Sequence, residues 1–188
     1  ARCLRNQWPR LRKTIHEELG NRWWHLARGL PGALEAIGPL HEGFRLGIIA
    51  NQPPQALDFL ERQGFLGLFD VVILDSQQPA SKPSISLYRI ALEQARVDPQ
   101  DSLMVGDRLD NDIIPARRLG MRAVLLWLRA GEKGWKPQDH WGQLMWPILE
   151  RLPAPRWDKI LPHERPLAMS SGWAELREKV EAAWEASL

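Results

Sequence analysis

Three aspartates lie close together in the segment MVGDRLDNDII, residues 104–114. Asp107 follows an apolar run directly, and Asp112 lies five residues later, where a helix is predicted to begin. Carboxylates that converge at the end of a strand form a hard oxygen site suited to Mg²⁺, which takes a few carboxylates together with water and substrate phosphate. The alternative is that Asp110 or Asn111 caps the helix while the other acids are solvated. Capping accounts for one of these residues, but not for an acid directly after a buried strand.

A single lysine, Lys82, lies in the loop segment ASKPSI, residues 80–85. A lysine in a loop is most often a solvated surface residue. Lys82, however, falls in the sequence between an apolar run that ends at Asn51 and the run that ends at Asp107. If both runs are strands of one sheet, the ammonium group can lie near the acids.

The elements that must position these residues alternate between strands and helices. Strand-like apolar runs cover FRLGIIAN, DVVIL, SLMVG and RAVLLWL (44–51, 70–74, 102–106 and 122–128), and helical patterns cover 54–63, 84–96 and 110–119. This alternation predicts an α/β fold with a parallel sheet covered by helices on both faces. Ligands of such sheets bind outside the carboxyl ends of the strands, so Asn51, Ser76 and Asp107 should share one edge.

The composition is that of an ordinary globular protein. The 188 residues are 44% hydrophobic and 26% charged, and the net charge of +2 is too small to indicate a nucleic-acid partner. One cysteine excludes an internal disulfide framework and fits a reducing compartment. The sequence has no signal peptide and no apolar run long enough for a transmembrane segment, so a cytoplasmic location is expected.

Two segments do not follow the alternating pattern. Residues 1–29 contain a basic amphipathic helix, for which a packed helix with a solvated basic face is favoured over a helix on a membrane surface. Residues 129–165 form an insertion rich in tryptophan and proline, and five of the ten tryptophans fall within 127–157. So much aromatic area is costly to solvate, which predicts an ordered insertion packed against the sheet or against a protein partner. Packing in cores and loops is the plainer explanation of the tryptophans.

The order of LGIIANQ, then SKPSISLYRIAL, then MVGDRLDNDIIPARRLGM resembles the haloacid dehalogenase superfamily of hydrolases. The resemblance covers roughly residues 30–128 and the last helix. It implies a Rossmann-like sheet, with residues 30–128 as the core, 1–29 as the remnant of a helical cap and 166–188 as the closing part. Its usual chemistry is phosphoryl transfer, in which an aspartate attacks phosphorus and water then hydrolyses the aspartyl-phosphate.

The resemblance also assigns roles to residues. Asp107 would be a Mg²⁺ ligand, and Asp112 a second acid that supports the metal site. Lys82 would neutralise the phosphoryl charge and keep the nucleophile ionised, while Asn51 would help to position the phosphoryl group. The implied protein is a Mg²⁺-dependent phosphatase of a small phosphorylated metabolite. A dehalogenase fits less well, because such members need no Mg²⁺ and would leave the acids unexplained.

The sequence departs from the family pattern at two points. The residue before Asn51 is Ala50, where the family has a serine or threonine that donates to phosphate. The family's aspartate-x-aspartate motif, which ends a central first strand and carries the nucleophile, does not occur in the sequence. We therefore expect either a chain that begins after that strand or a catalytically silent relative, which would be a binding or structural subunit that uses the tryptophan-rich insertion.

Overall fold

The computed structural model describes residues 24–25, 27–128, 143 and 159–186. Within them, strands and helices alternate as the sequence predicts. The strands are β1 (Gly47–Ala50), β2 (Val71–Leu74), β3 (Leu103–Gly106), β4 (Arg122–Leu126) and β5 (Ala168–Ser170). The helices are α1 (Ala33–His41), α2 (Gln55–Arg62), α3 (Ile85–Ala95), α4 (Ile114–Arg118) and α5 (Trp173–Glu185).

The strands form two parallel sheets. In the first, β1 pairs with β2, with Gly47 opposite Val71 and Ala50 opposite Leu74. In the second, the order is β3-β4-β5, and β4 pairs with both of its neighbours in parallel. All pairings are parallel, so the carboxyl ends of the strands in each sheet lie at one edge. The predicted α/β class with a parallel sheet is confirmed.

Helices cover both faces of the sheet because successive side chains of a buried strand point in opposite directions. Along β4, Val124 and Leu126 pack with residues of α1 and α5. Leu125, between them, packs instead with Ile113, which directly precedes α4. Helix α3 contacts both β1 and β2, and its buried Tyr88 packs in the same cluster as residues of α4.

An open cleft separates the two sheets. Within the described residues, β1 pairs only with β2 and β3 pairs only with β4, so each of these two strands has one edge without a partner strand. The cleft has a volume of about 420 Å³, and its mostly apolar walls include β1 residues 47–49 and β3 residues 103–105. The facing edges of β1 and β3 thus carry backbone groups without a strand partner in the described part of the chain, an arrangement that buried structure rarely tolerates.

Three features differ from the sequence-based expectations. The predicted helix over 110–119 is a π-helical turn, Leu109–Ile113, followed by the short helix α4. Strand β4 ends at Leu126, two residues before the predicted end. Strand β5 was not predicted, because three residues are too few to produce a recognisable apolar pattern.

The flanking segments are described only in part. Most of the predicted insertion, 129–165, and most of the basic helix in 1–29 lie outside the described residues, so their order and the partner surface stay predictions. Trp24, near the end of that helix, contacts the Phe59 ring of α2, and Arg62 Nη2 donates a 2.6 Å hydrogen bond to its carbonyl. Among the described helices, none combines the length and the apolar character that crossing a lipid bilayer requires.

Candidate active site at the carboxyl ends of the strands

Asn51, directly after β1, ties the first sheet to the loop that carries Lys82. Its Nδ2 donates to the Lys82 carbonyl at 2.9 Å, and its Oδ1 accepts from the Lys82 backbone N–H at 2.8 Å. Both polar atoms of the Asn51 side chain are therefore engaged with one residue of the main chain. Ser84 then caps α3 by accepting from the Ser86 backbone N–H at 3.3 Å.

Lys82 reaches from this loop to the second sheet. Its Nζ lies 2.6 Å from Asp112 Oδ1, and the two side chains are only 14% and 4% exposed. The other carboxylate oxygen, Asp112 Oδ2, accepts from the Arg108 backbone N–H at 3.0 Å. A buried carboxylate needs such partners, because an ion removed from water is strongly disfavoured when it is left unpaired.

Asp112 comes this close to β3 because residue 106 is glycine. A Cβ atom placed on Gly106 would lie 2.3 Å from the Cβ of Asp112, which is far inside van der Waals contact. Asp112 itself belongs to the π-helical turn Leu109–Ile113. Turns of this kind often occur at functional sites, since they redirect a side chain without ending the helix.

Tyr88 holds the main chain of the same turn and was missed as a site residue from the sequence. Its hydroxyl donates a 2.5 Å hydrogen bond to the Asn111 carbonyl, and its side chain is fully buried. Burial, and secondarily the neighbouring Asp112 carboxylate, raise the pKa of Tyr88, so the phenol remains a protonated donor at neutral pH. A lone tyrosine at an apolar position of a helix was the only signal available in the sequence.

Asp107 and Asp110 occupy different environments. Asp107, directly after β3, is exposed, and its carboxylate makes no hydrogen bond to a described residue, although its charge acts on the neighbouring Arg108 guanidinium. Asp110 is also exposed, and its two oxygens accept from Arg108 Nε at 3.1 Å and Nη2 at 2.6 Å. The hydrogen bond from Arg108 holds the pKa of Asp110 below its ordinary value. Asp110 is therefore occupied on the surface and does not join the Lys82–Asp112 pair.

The structure thus brings together three of the four residues predicted for the site. Asn51 contacts Lys82, and Lys82 contacts Asp112. Asp107 precedes the residue whose backbone N–H binds Asp112. The chemical roles assigned to these four residues stay predictions. Asn51 bonds to the main chain of Lys82, an arrangement that the sequence did not suggest.

The donor set is compatible with Mg²⁺. Among the described residues, no group of three or more acidic, histidine or cysteine side chains is placed to hold a metal. Mg²⁺ does not require such a cage, since it is commonly bound by one or two carboxylates together with water and substrate phosphate. Asp107 offers an exposed carboxylate, and Asp112 has acceptor sites left beyond its two hydrogen bonds. These two residues would hold the ion.

Comparison with known proteins gives the same family. The sequence pattern of haloacid dehalogenase-like hydrolases matches residues 3–126, about two thirds of the chain. A glyceraldehyde 3-phosphate phosphatase of Pyrococcus abyssi is 36% identical over 107 residues, which are 56% of this chain and 44% of the relative. A phosphoglycolate phosphatase of Vibrio vulnificus is 30% identical over 119 residues, which are 62% of this chain and 50% of the relative. The chain therefore spans about half the length of these relatives.

Solved structures agree on the fold. A haloacid dehalogenase-type phosphatase from Thermococcus onnurineus superimposes with a TM-score of 0.63 at 24% identity, covering 89% of this chain and 65% of that one. A putative beta-phosphoglucomutase from Thermotoga maritima gives a TM-score of 0.61 at 19% identity, covering 92% and 69%. These structures share the fold, and the sequence match over residues 3–126 shows that the chain belongs to the haloacid dehalogenase-like hydrolase family.

Proposed function

We propose that the protein acts as a Mg²⁺-dependent phosphatase of a small phosphorylated metabolite, through an aspartyl-phosphate. The observation that carries the proposal is the buried ion pair between Lys82 and Asp112, beside the exposed Asp107 at the end of β3. This arrangement offers a cation, the Lys82 ammonium group, and an exposed carboxylate, that of Asp107. The two curated relatives are named for glyceraldehyde 3-phosphate and phosphoglycolate, both small phosphorylated compounds.

Phosphoryl transfer depends mainly on in-line placement and on cations that face the spreading negative charge. Lys82 supplies one such cation, and its two hydrogen bonds to Asn51 fix the backbone from which it extends. Asp112 Oδ1 accepts from the ammonium group at 2.6 Å and so fixes the far end of the side chain. Mg²⁺, when bound, would polarise a phosphoryl oxygen and offset its charge.

The attacking aspartate is the part of the proposal that lies beyond the described residues. Asp112 is engaged by Lys82 and Arg108, and Asp110 by Arg108, while Asp107 is proposed for the metal. An extended segment in the cleft between β1 and β3 would end between Asn51 and Asp107. We propose that the nucleophile lies on such a segment, since its end would bring a carboxylate next to both residues.

The proposal is tested by measuring the release of inorganic phosphate. The 188-residue chain and a form extended upstream by its own coding sequence are compared, with Mg²⁺ or with a chelator. The substrates are p-nitrophenyl phosphate and a panel of sugar, nucleotide and glycolate phosphates. We expect Mg²⁺-dependent turnover by the extended form and none by the 188-residue chain.

The control for this assay is the extended form in which the aspartate at the end of the added strand is changed to asparagine. We expect this change to abolish turnover while the fold is kept. Turnover by the 188-residue chain would mean that the nucleophile has been misassigned. No turnover by the extended form on any substrate would favour the alternative of a catalytically silent binding subunit.

Ala50 gives a second prediction about activity. A side-chain hydroxyl at this position, at the carboxyl end of β1, would offer a donor to the phosphoryl group that alanine lacks. A hydrogen bond to a charged group contributes about 1.5–3 kcal/mol, so Ala50→Ser should raise kcat/KM by about tenfold or more in the active form. Steady-state kinetics test this, with Ala50→Val as the control for added bulk. Equal kcat/KM for Ala50→Ser and the parent would show that another donor already serves the substrate.

The cellular setting is also part of the proposal. One cysteine in 188 residues is consistent with the cytoplasm, where thiols stay reduced. For the alternative function, a catalytically silent binding subunit, we propose a protein partner that binds the tryptophan-rich insertion, 129–165.

A further inference from the structure

We propose that Tyr88 is a positioning residue, whose hydroxyl fixes the main chain at Asn111 so that Asp112 meets Lys82. The hydroxyl donates to the Asn111 carbonyl at 2.5 Å, and the next carbonyl, that of Asp112, lies 3.4 Å away. Tyr88 therefore binds the backbone directly beside the carboxylate that pairs with Lys82, without touching the carboxylate itself.

Lys82 and Tyr88 belong to one short segment of the chain, whereas Asp112 belongs to another. Lys82 lies just before α3, and Tyr88 lies in the second turn of the same helix. Asp112 lies in the π-helical turn after β3. Lys82 is carried by the turn that leads into α3, where Asn51 binds its main chain. Tyr88, six residues later and on α3 itself, binds the backbone beside Asp112, so one short segment of the chain bears on both charges.

The Tyr88 hydroxyl, and not only the ring, stabilises the turn that carries Asp112. The ring is fully buried and packs with Leu92, Ala116 and Met121, so a phenylalanine could fill the same space. A phenylalanine could not donate to the Asn111 carbonyl, which would lose this partner inside the protein. The turn could then relax, and with it the hydrogen bonds that the Asp112 and Ile113 backbone N–H groups donate to the Arg108 carbonyl.

The inference rests on the proposed function for its effect on catalysis, but its structural part can be measured separately. The test variant is Tyr88→Phe in the full chain. The matched control is Ser102→Ala, which also removes a hydroxyl-to-carbonyl hydrogen bond, from Ser102 Oγ to the Pro99 carbonyl at 2.7 Å. Ser102 precedes β3, so the control affects the opposite edge of the sheet.

Two measurements are made on both variants. Calorimetric titration gives the Mg²⁺ dissociation constant, and amide hydrogen exchange gives the local protection of Asp112 and Ile113. For Tyr88→Phe we expect the dissociation constant to rise and the two amides to exchange faster, each by about fivefold to tenfold, as the loss of one hydrogen bond implies. In the active form, kcat should fall with little change in KM. Ser102→Ala should leave Mg²⁺ affinity and both amides unchanged.

The outcomes separate the two claims. If Tyr88→Phe lowers the melting temperature but leaves Mg²⁺ affinity and the exchange of both amides as in the parent, the hydroxyl is merely structural and the inference is overturned. If the parent itself binds no Mg²⁺, the proposed metal site has failed. The amide exchange of Asp112 and Ile113 then decides the inference. Exchange that is faster than in the parent for Tyr88→Phe, but not for Ser102→Ala, supports the positioning role. Exchange at the same rate in Tyr88→Phe and Ser102→Ala refutes it.

Discussion

Asp107→Asn is expected to abolish Mg²⁺ binding, whereas Asp110→Asn should leave the affinity nearly unchanged. Asp107 follows β3 directly, and its exposed carboxylate makes no hydrogen bond to a described residue. Asp110 is bound through both oxygens by the Arg108 guanidinium, on the surface. An amide in place of the Asp107 carboxylate keeps the shape but removes the charge, and Mg²⁺ depends on anionic oxygen ligands. Calorimetric titration of Mg²⁺ into the two variants measures the difference.

Asp110→Asn is the matched control for this experiment, because it makes the same chemical change three residues away. Circular dichroism of both variants checks that the fold is retained. If the two variants bind Mg²⁺ with equal affinity, Asp107 is not a metal ligand and the proposed site is wrong.

In the form extended upstream, Lys82→Met is expected to reduce phosphatase activity by at least about a hundredfold, because it removes the cation proposed to face the phosphoryl group. It should also destabilise the fold. The Asp112 side chain is 4% exposed, and among the described residues its carboxylate would keep only the Arg108 backbone N–H as a hydrogen-bond partner. Removing one member of a buried ion pair typically costs about 3–5 kcal/mol in unfolding free energy. Urea denaturation and phosphate release give the two quantities.

A double variant, Lys82→Met with Asp112→Leu, separates the two effects. It removes both charges, so the buried, unpaired carboxylate no longer exists and much of the lost stability should return. Activity should stay absent. Equal stability of Lys82→Met and the parent would show that Asp112 finds another partner, and full activity of either variant would exclude Lys82 from the chemistry.

The strands and their carboxyl ends could be predicted because parallel strands buried on both faces form continuous apolar runs. The runs that end at Asn51 and Asp107 correspond to β1 and β3. Strand β5 could not be predicted in this way, since its three residues gain their strand conformation from pairing with β4. The π-helical turn at 109–113 was also beyond the sequence, because its apolar spacing resembles that of an ordinary helix.

The candidate site was predicted as a set of residues but not as a set of contacts. Spacing along the chain indicated that Lys82 and the acids share an edge, and Lys82 does contact Asp112. That Asn51 binds the main chain of Lys82, and that Tyr88 binds the main chain at Asn111, depends on tertiary packing between distant segments. No local sequence pattern indicates such pairings, since an asparagine in a loop and a tyrosine in a helix are equally compatible with a position on the surface or in the core.

The cleft between β1 and β3 also bears on how the 188-residue chain behaves in concentrated solution. In the described part of the chain, the two strand edges have no strand partner, and such edges with apolar walls are a template for an extended segment of a neighbouring molecule, which is the usual route to edge-to-edge aggregation. The charged residues of the cleft lining lie only at the end where the strands begin: Arg45, Asp70 and Asp101. Charged side chains can therefore oppose association at that end of the cleft only. We therefore expect solubility at high concentration to depend on whether the cleft is filled. A chain whose own segment occupies the cleft should stay monomeric, and one whose cleft is empty should associate through its strand edges.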